Sequence, residues 1–158
     1  MFTIMGYDIQ AIISTQSVLE AHSGDFKFAV VAPLGFGLAL IPITDELLDE
    51  VGASGASGQF YKFTPAIADW LGTISGSAPA AYVEAEFFGG IGEQSATVWA
   101  RGEQLLAPTH TMDAINIALR VLGISRGTAH DEFEAVDLQR HRHTNDWLDD
   151  AIPKGSNG

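Results

Sequence analysis

The periods at which apolar residues recur along this chain predict its elements. Residues 7–13 (YDIQAII) read as a first strand, with Tyr7, Ile9 and Ala11 on one face and Asp8, Gln10 and Ile12 on the other. Ser14-Thr15-Gln16 caps a short helix over Ser17–His22. Residues 26–34 and 38–43 are two apolar runs around Gly35-Phe36-Gly37 and predict a hairpin, with Pro33 and Pro42 at strand ends because proline gives no donor to a ladder. Thr44 starts a helix with acids in its first turn, a Leu47-Leu48-Val51 stripe and a stop at Gly52. Residues 52–58 (GASGASG) are a low-complexity, mobile loop.

Thr64-Pro65 opens a second helix to about Ile74, striped by Ile67, Trp70, Leu71 and Ile74. Residues 80–88 (AAYVEAEFF) alternate, turn through Gly89-Gly90-Ile91-Gly92 and return over 94–100, and residues 104–107 add a short third strand. A helix is expected over Met112–Leu122, with Met112, Ile115, Leu119 and Leu122 on its apolar stripe. Asp131–Val136 forms a short helix, and Thr144 caps a turn at 143–147. Hairpins outnumber β-α-β alternations. The expectation is therefore an α+β fold in a single domain, residues 1–152, with a mainly antiparallel sheet and helices packed on one face, and a disordered tail over 153–158.

Composition narrows the function. Twenty acids stand against eight Lys and Arg, giving a formal charge of -12. Binding to the phosphate backbone of nucleic acid or to anionic membranes needs the opposite balance. The absence of cysteine removes disulfides, Cys-ligated iron–sulfur clusters and Cys-type zinc sites. No apolar run is long enough to span a bilayer, and the first residues lack the basic region of a secretory signal, so a cytoplasmic location is expected.

Three regions carry candidate chemistry. Glu84 and Glu86, at i and i+2 on one strand face and about 7 Å apart, precede the glycine-rich turn and suit cation binding or acid/base work. The glycines would let a ligand approach the backbone, while a solvated strand face with a wide hairpin accounts for the same residues. His141 and His143 in Arg140-His141-Arg142-His143 are at a spacing that can ligate one metal in an extended segment, although Arg140 and Arg142 also suit pairing with neighbouring acids. His110, before a helix, reads as a base or as a capping-loop residue, and Ser14, Ser17 and Ser95 lie in no nucleophile-elbow pattern. Trp99 shares the face of Tyr82, Glu84 and Glu86, an aromatic and acidic composition typical of contact surfaces.

The segments AYVEAEFFGGIGEQSATVW, DAINIALRVLGI and DEFEAVDLQRHRHTNDW, between Ala81 and Trp147, resemble a class of small, mostly uncharacterised bacterial proteins and are similar in style to acidic immunity proteins of toxin–immunity systems. The resemblance implies a protein that binds another protein; phage-borne inhibitors of host defence share the size and charge. The expected function is therefore non-enzymatic binding and neutralisation of a basic partner such as a toxin, with no cofactor and no assigned catalytic residue. The partner surface is expected at Tyr82, Glu84, Glu86, Phe88, Gly90, Gln94 and Trp99, and on the acidic helix at Asp45, Glu46 and Asp49. The alternatives are a small metal-binding or hydrolytic enzyme using Glu84, Glu86, His141 and His143, and acidity that serves solubility alone.

Overall fold

A computed structural model describes residues 6–56, 58–88 and 91–154. Six antiparallel strands form one sheet in the order β2-β3-β1-β4-β5-β6: β1 Tyr7–Thr15, β2 Ala32–Pro33, β3 Leu38–Pro42, β4 Ala80–Phe88, β5 Ile91–Ala100 and β6 Glu103–Thr109. The helices are α1 Gln16–His22, α2 Asp45–Val51, α3 Pro65–Ile74, α4 Ala114–Val121 and α5 Glu132–Ala135. The class is α+β, as the hairpin-rich order predicts.

The layering is wider than the one-face expectation, because helices cover both faces of the sheet. One core joins Ile9, Ile13, Val83 and Val98 to Ile115 and Leu119 of α4, Phe133 of α5 and Trp147. The other joins Ile12, Tyr82 and Ala80 to Leu19 of α1, Leu47 of α2 and Ile67, Trp70 and Leu71 of α3. The sequence cause is the imperfect alternation of β1. Ile12 and Ile13 are adjacent and both fully buried, so they must point into different cores.

Caps fix the helix starts. Thr44 accepts from the Leu47 N–H and Thr64 from the Ile67 N–H, and Pro65 occupies the first turn of α3 where its missing donor costs nothing. Several elements depart from expectation: β5 begins at Ile91, inside the expected turn, and β6 runs over Glu103–Thr109. Residues 26–34 shorten to the two-residue β2, because the Glu50 carboxylate takes the N–H groups of Lys27 (2.6 Å) and Phe28 (2.8 Å) and holds them as a turn. The helix expected from Met112 begins at Ala114, and Met112 is exposed. Thr144 does not cap its own 3-10 turn; its hydroxyl donates to the Gln10 side chain and accepts from the Gln10 N–H.

That last contact positions the site. β3 pairs with β1 only from Ala11 onward. Before that point the segment around 142–144 runs along β1, with the Asp8 N–H donating to the Arg142 carbonyl at 2.7 Å. The start of β1 is thus tied to the chain's C-terminal part.

Truncating Ile12 and Ile13 singly to Ala should each lower unfolding free energy by about 2–5 kcal/mol in urea denaturation. A loss at only one of the two would mean that one face of β1 is not a packed core.

Candidate functional site

On the face covered by α3, the cross-strand registers stack residues into rows. Asp8 stands opposite Glu86, and Glu86 opposite Glu93. The next row is Gln10, Glu84 and Ser95, and the next is Ile12, Tyr82 and Thr97. Tyr82 is roofed by the 59–63 segment: Phe63 stacks on its ring at 4.7 Å and Phe60 meets it edgewise at 5.5 Å. The roof stops there. The acidic row stays open, with Glu86 and Glu93 exposed and Asp8 half-buried.

Glu84 fastens the roof. Its carboxylate accepts from the Tyr61 and Lys62 N–H groups, both at 2.7 Å, and from the Tyr82 hydroxyl at 2.6 Å. Burial pushes the Glu84 carboxyl above its ordinary value, and the three donors and the nearby Lys62 charge hold it back. Burial, with the Glu84 charge beside it, also raises the Tyr82 hydroxyl well above the usual tyrosine range. Between roof and acidic row lies an open cleft of about 180 Å³, walled by Gln59, the exposed Tyr61, Glu84, Ser95 and the acids Asp8, Glu86 and Glu93. A second depression of about 160 Å³ adjoins it, sharing Gln59 and Glu93 and bounded by His110 and Met112.

The expected contact residues therefore separate. Glu86 is exposed in the cleft wall. Glu84 and Tyr82 are buried and bound to each other, so neither forms an open contact surface, and Glu84 is not an equal partner of Glu86 in acid/base work. Gln94 points to the opposite face, where its side-chain oxygen accepts the Ile115 N–H at the start of α4 (2.9 Å). Trp99 lies at the far end of the sheet face, half-buried beside Gly72. Gly90 and the Phe88 side chain lie outside the described residues. Packing requires glycine at 92, where a Cβ would sit 2.1 Å from the Phe87 ring, and Gly92 also borders the second depression. On α2, Asp45, Glu46 and Asp49 are exposed, but the helix is not without a base, since Lys62 pairs with Asp45 at 3.3 Å.

The histidines do not converge. His141 meets Asp150 at 2.8 Å and packs on Trp147, whereas His143 meets Asp8 in the acidic row. Among the described residues no group of three His, Asp or Glu is arranged to hold a metal ion. Arg140 is occupied by Asp137 and Asp150 (both 2.8 Å) and lies over the Trp147 ring. Hydrogen bonds from Arg140 and His141 hold the Asp150 carboxyl below its ordinary value.

Sequence reasoning missed Asp8 and Tyr61 as neighbours of Glu86, and it missed the pairing of Ser95 with His110 at 2.7 Å. The β4–β5 alternation already puts Glu93 opposite Glu86. Asp8 needed the β1–β4 register, which nothing local encodes.

No family model, curated protein or solved structure matches this chain.

Two outcomes test the role of Glu84. Glu84→Ala should leave the Tyr61 and Lys62 N–H groups without acceptors, at about 1–3 kcal/mol each in urea unfolding. The pH dependence has a defined sign. A folded-state value raised above 4.5 gives stability that is complete below that pH and is lost as pH rises through the raised value. The stability of wild type minus that of Glu84→Gln should therefore fall between pH 4.5 and 7. A rise over that range would show that the three donors outweigh burial.

Proposed function

We propose that this chain is a binding protein that captures and neutralises a basic protein partner through the cleft beside the acidic row, in the manner of an immunity protein or inhibitor. One observation carries the reading. Asp8, Glu86 and Glu93 come from three adjacent strands and stand directly opposite one another. Like charges in that position destabilise a sheet. Among the described residues no Lys or Arg pairs with any of the three, and Asp8 meets His143 and, at 3.5 Å, the Thr144 hydroxyl. A partner's arginine or lysine placed in the cleft would relieve that repulsion.

The supporting features are consistent with this use. The exposed Tyr61 ring at the rim offers a face to a cationic side chain, and aromatic residues are enriched where proteins touch. The surplus of negative charge steers a basic partner toward the chain and speeds encounter. The exposed acids of α2, Asp45, Glu46 and Asp49, extend the negative field. A toxin or a host-defence protein with a basic active surface fits as the partner. No helix among the described residues is long and apolar enough to cross a membrane.

Pull-down at low ionic strength should recover a basic protein whose association weakens steeply with salt. Glu86→Lys combined with Glu93→Lys should weaken it at least 10-fold, about 1.4 kcal/mol. Asp69→Lys, on the exposed side of α3, should change it little. Equal affinity for the double variant and the wild type would refute the assignment of the cleft.

A further inference from the structure

Ser95 and His110 are the nucleophile–base combination that the binding reading leaves unused. Their polar atoms, Ser95 Oγ and His110 Nδ1, lie 2.7 Å apart. Ser95 is 4% exposed and forms part of the cleft wall; His110 bounds the adjoining depression. The pair therefore sits between two openings on the surface. Its geometry is fixed from both sides. Ser95 belongs to strand β5, between β4 and the edge strand β6, and stands opposite Glu84 of β4. The His110 ring packs edgewise on Phe60 at 5.2 Å, and Phe60 is itself held by Phe63 and Tyr82. A serine hydroxyl hydrogen-bonded to a fixed imidazole, at the edge of an open cleft, meets the geometric requirement for an activated nucleophile. No carboxylate meets His110 among the described hydrogen bonds, so the unit is a dyad.

We propose that Ser95 and His110 form an acyl-transfer dyad that hydrolyses carboxylic esters whose acyl part carries a positive charge. Ser95 Oγ attacks the ester carbonyl carbon while its proton passes to His110 Nδ1. The tetrahedral intermediate collapses, the carbon–oxygen bond to the leaving alcohol breaks, and His110 returns the proton to that oxygen. Water then attacks the acyl–Ser95 ester, gives its proton to Nδ1, and releases the acid as the proton returns to Ser95 Oγ. Gln59 lines both depressions, and its amide is the uncharged side-chain donor that the proposal assigns to the oxyanion. The preference for a cationic acyl group rests on reading the acidic row as a cation-binding wall; the nucleophilic step does not.

The test is titration of the full chain with 4-nitrophenyl 4-guanidinobenzoate, 4-nitrophenyl acetate and a fluorophosphonate, followed by intact-mass and peptide mapping. The expected result is a nitrophenolate burst, one acyl or phosphonyl group on Ser95, and none on Ser95→Ala. His110→Gln should slow modification at least about 100-fold, the usual minimum for losing a general base. Glu86→Gln with Glu93→Gln should abolish the preference for the guanidino ester over the acetate, whereas Asp69→Lys, on the exposed side of α3, should leave both the preference and the fluorophosphonate labelling unchanged. A double variant that labels on Ser95 and keeps the preference refutes the cation-binding wall and leaves the dyad standing. Folded wild type that shows no burst and no label on Ser95 overturns the proposal, and so does equal labelling of a folded His110→Gln. If that variant does not fold, the wild-type titration decides alone.

Discussion

A single buried carboxylate, that of Glu84, governs the architecture around the cleft. The 59–63 segment contributes no strand or helix, so its backbone donors need acceptors from elsewhere once it lies against the sheet. Glu84 supplies two, and it also accepts a hydrogen bond from the Tyr82 hydroxyl. The consequence is geometric as well as energetic. With Tyr61 and Lys62 pinned over the second row, Phe60 and Phe63 must fall on Tyr82, and the first row must remain uncovered. The cleft is the space left by a roof that one side chain ends. Lys62 carries the constraint further, because its ammonium reaches the Ile43 carbonyl and Asp45 at the start of α2.

The opposite wall depends on a different constraint, the incomplete pairing of β1. Because β3 leaves the first part of β1 unpaired, its free backbone groups are met by the 142–144 segment. That contact brings His143 to Asp8 and anchors a C-terminal region of short turns that would otherwise have few ties to the sheet. The Arg140–Asp150–His141 cluster around Trp147 then closes the same region onto the core shared with α4 and α5. The run of bases in the sequence is thus largely a latch, and the part of it that reaches the cleft is one histidine.

Local signals were legible wherever a residue's role depends on its own neighbours. Thr44, Thr64 and Pro65 mark helix starts that the structure keeps, and the alternation over 80–88 gives β4 its observed bounds. The apolar run at 26–34 misled, because the donors of its first part are taken by Glu50, more than twenty residues away. For the same reason Glu84 and Glu86 looked equivalent. Their spacing places both on one face, but only the loop at 59–63, whose path is not encoded by any period, decides which is buried. Ser95 and His110 likewise fit no motif. They meet only because the β5–β6 hairpin, with its irregular register, carries residue 110 back beside residue 95.

Net charge is a poor guide to the surface until its acids are sorted by what they hold. Glu50 and Glu84 bind loop backbones, Asp131 caps α5, Glu132 is buried against Arg120, and Asp137 and Asp150 grip Arg140. These carboxylates count toward -12 yet are committed to the fold. Those of the first row are different, since their strand register forces them together and, among the described residues, no Lys or Arg pairs with them. A fold that needed only solubility would gain as much from acids scattered over its helices, without the cross-strand repulsion. The concentration of charge at one open end of the sheet face, beside an exposed tyrosine, is therefore the part of the acidity on which the proposed capture of a cationic partner rests.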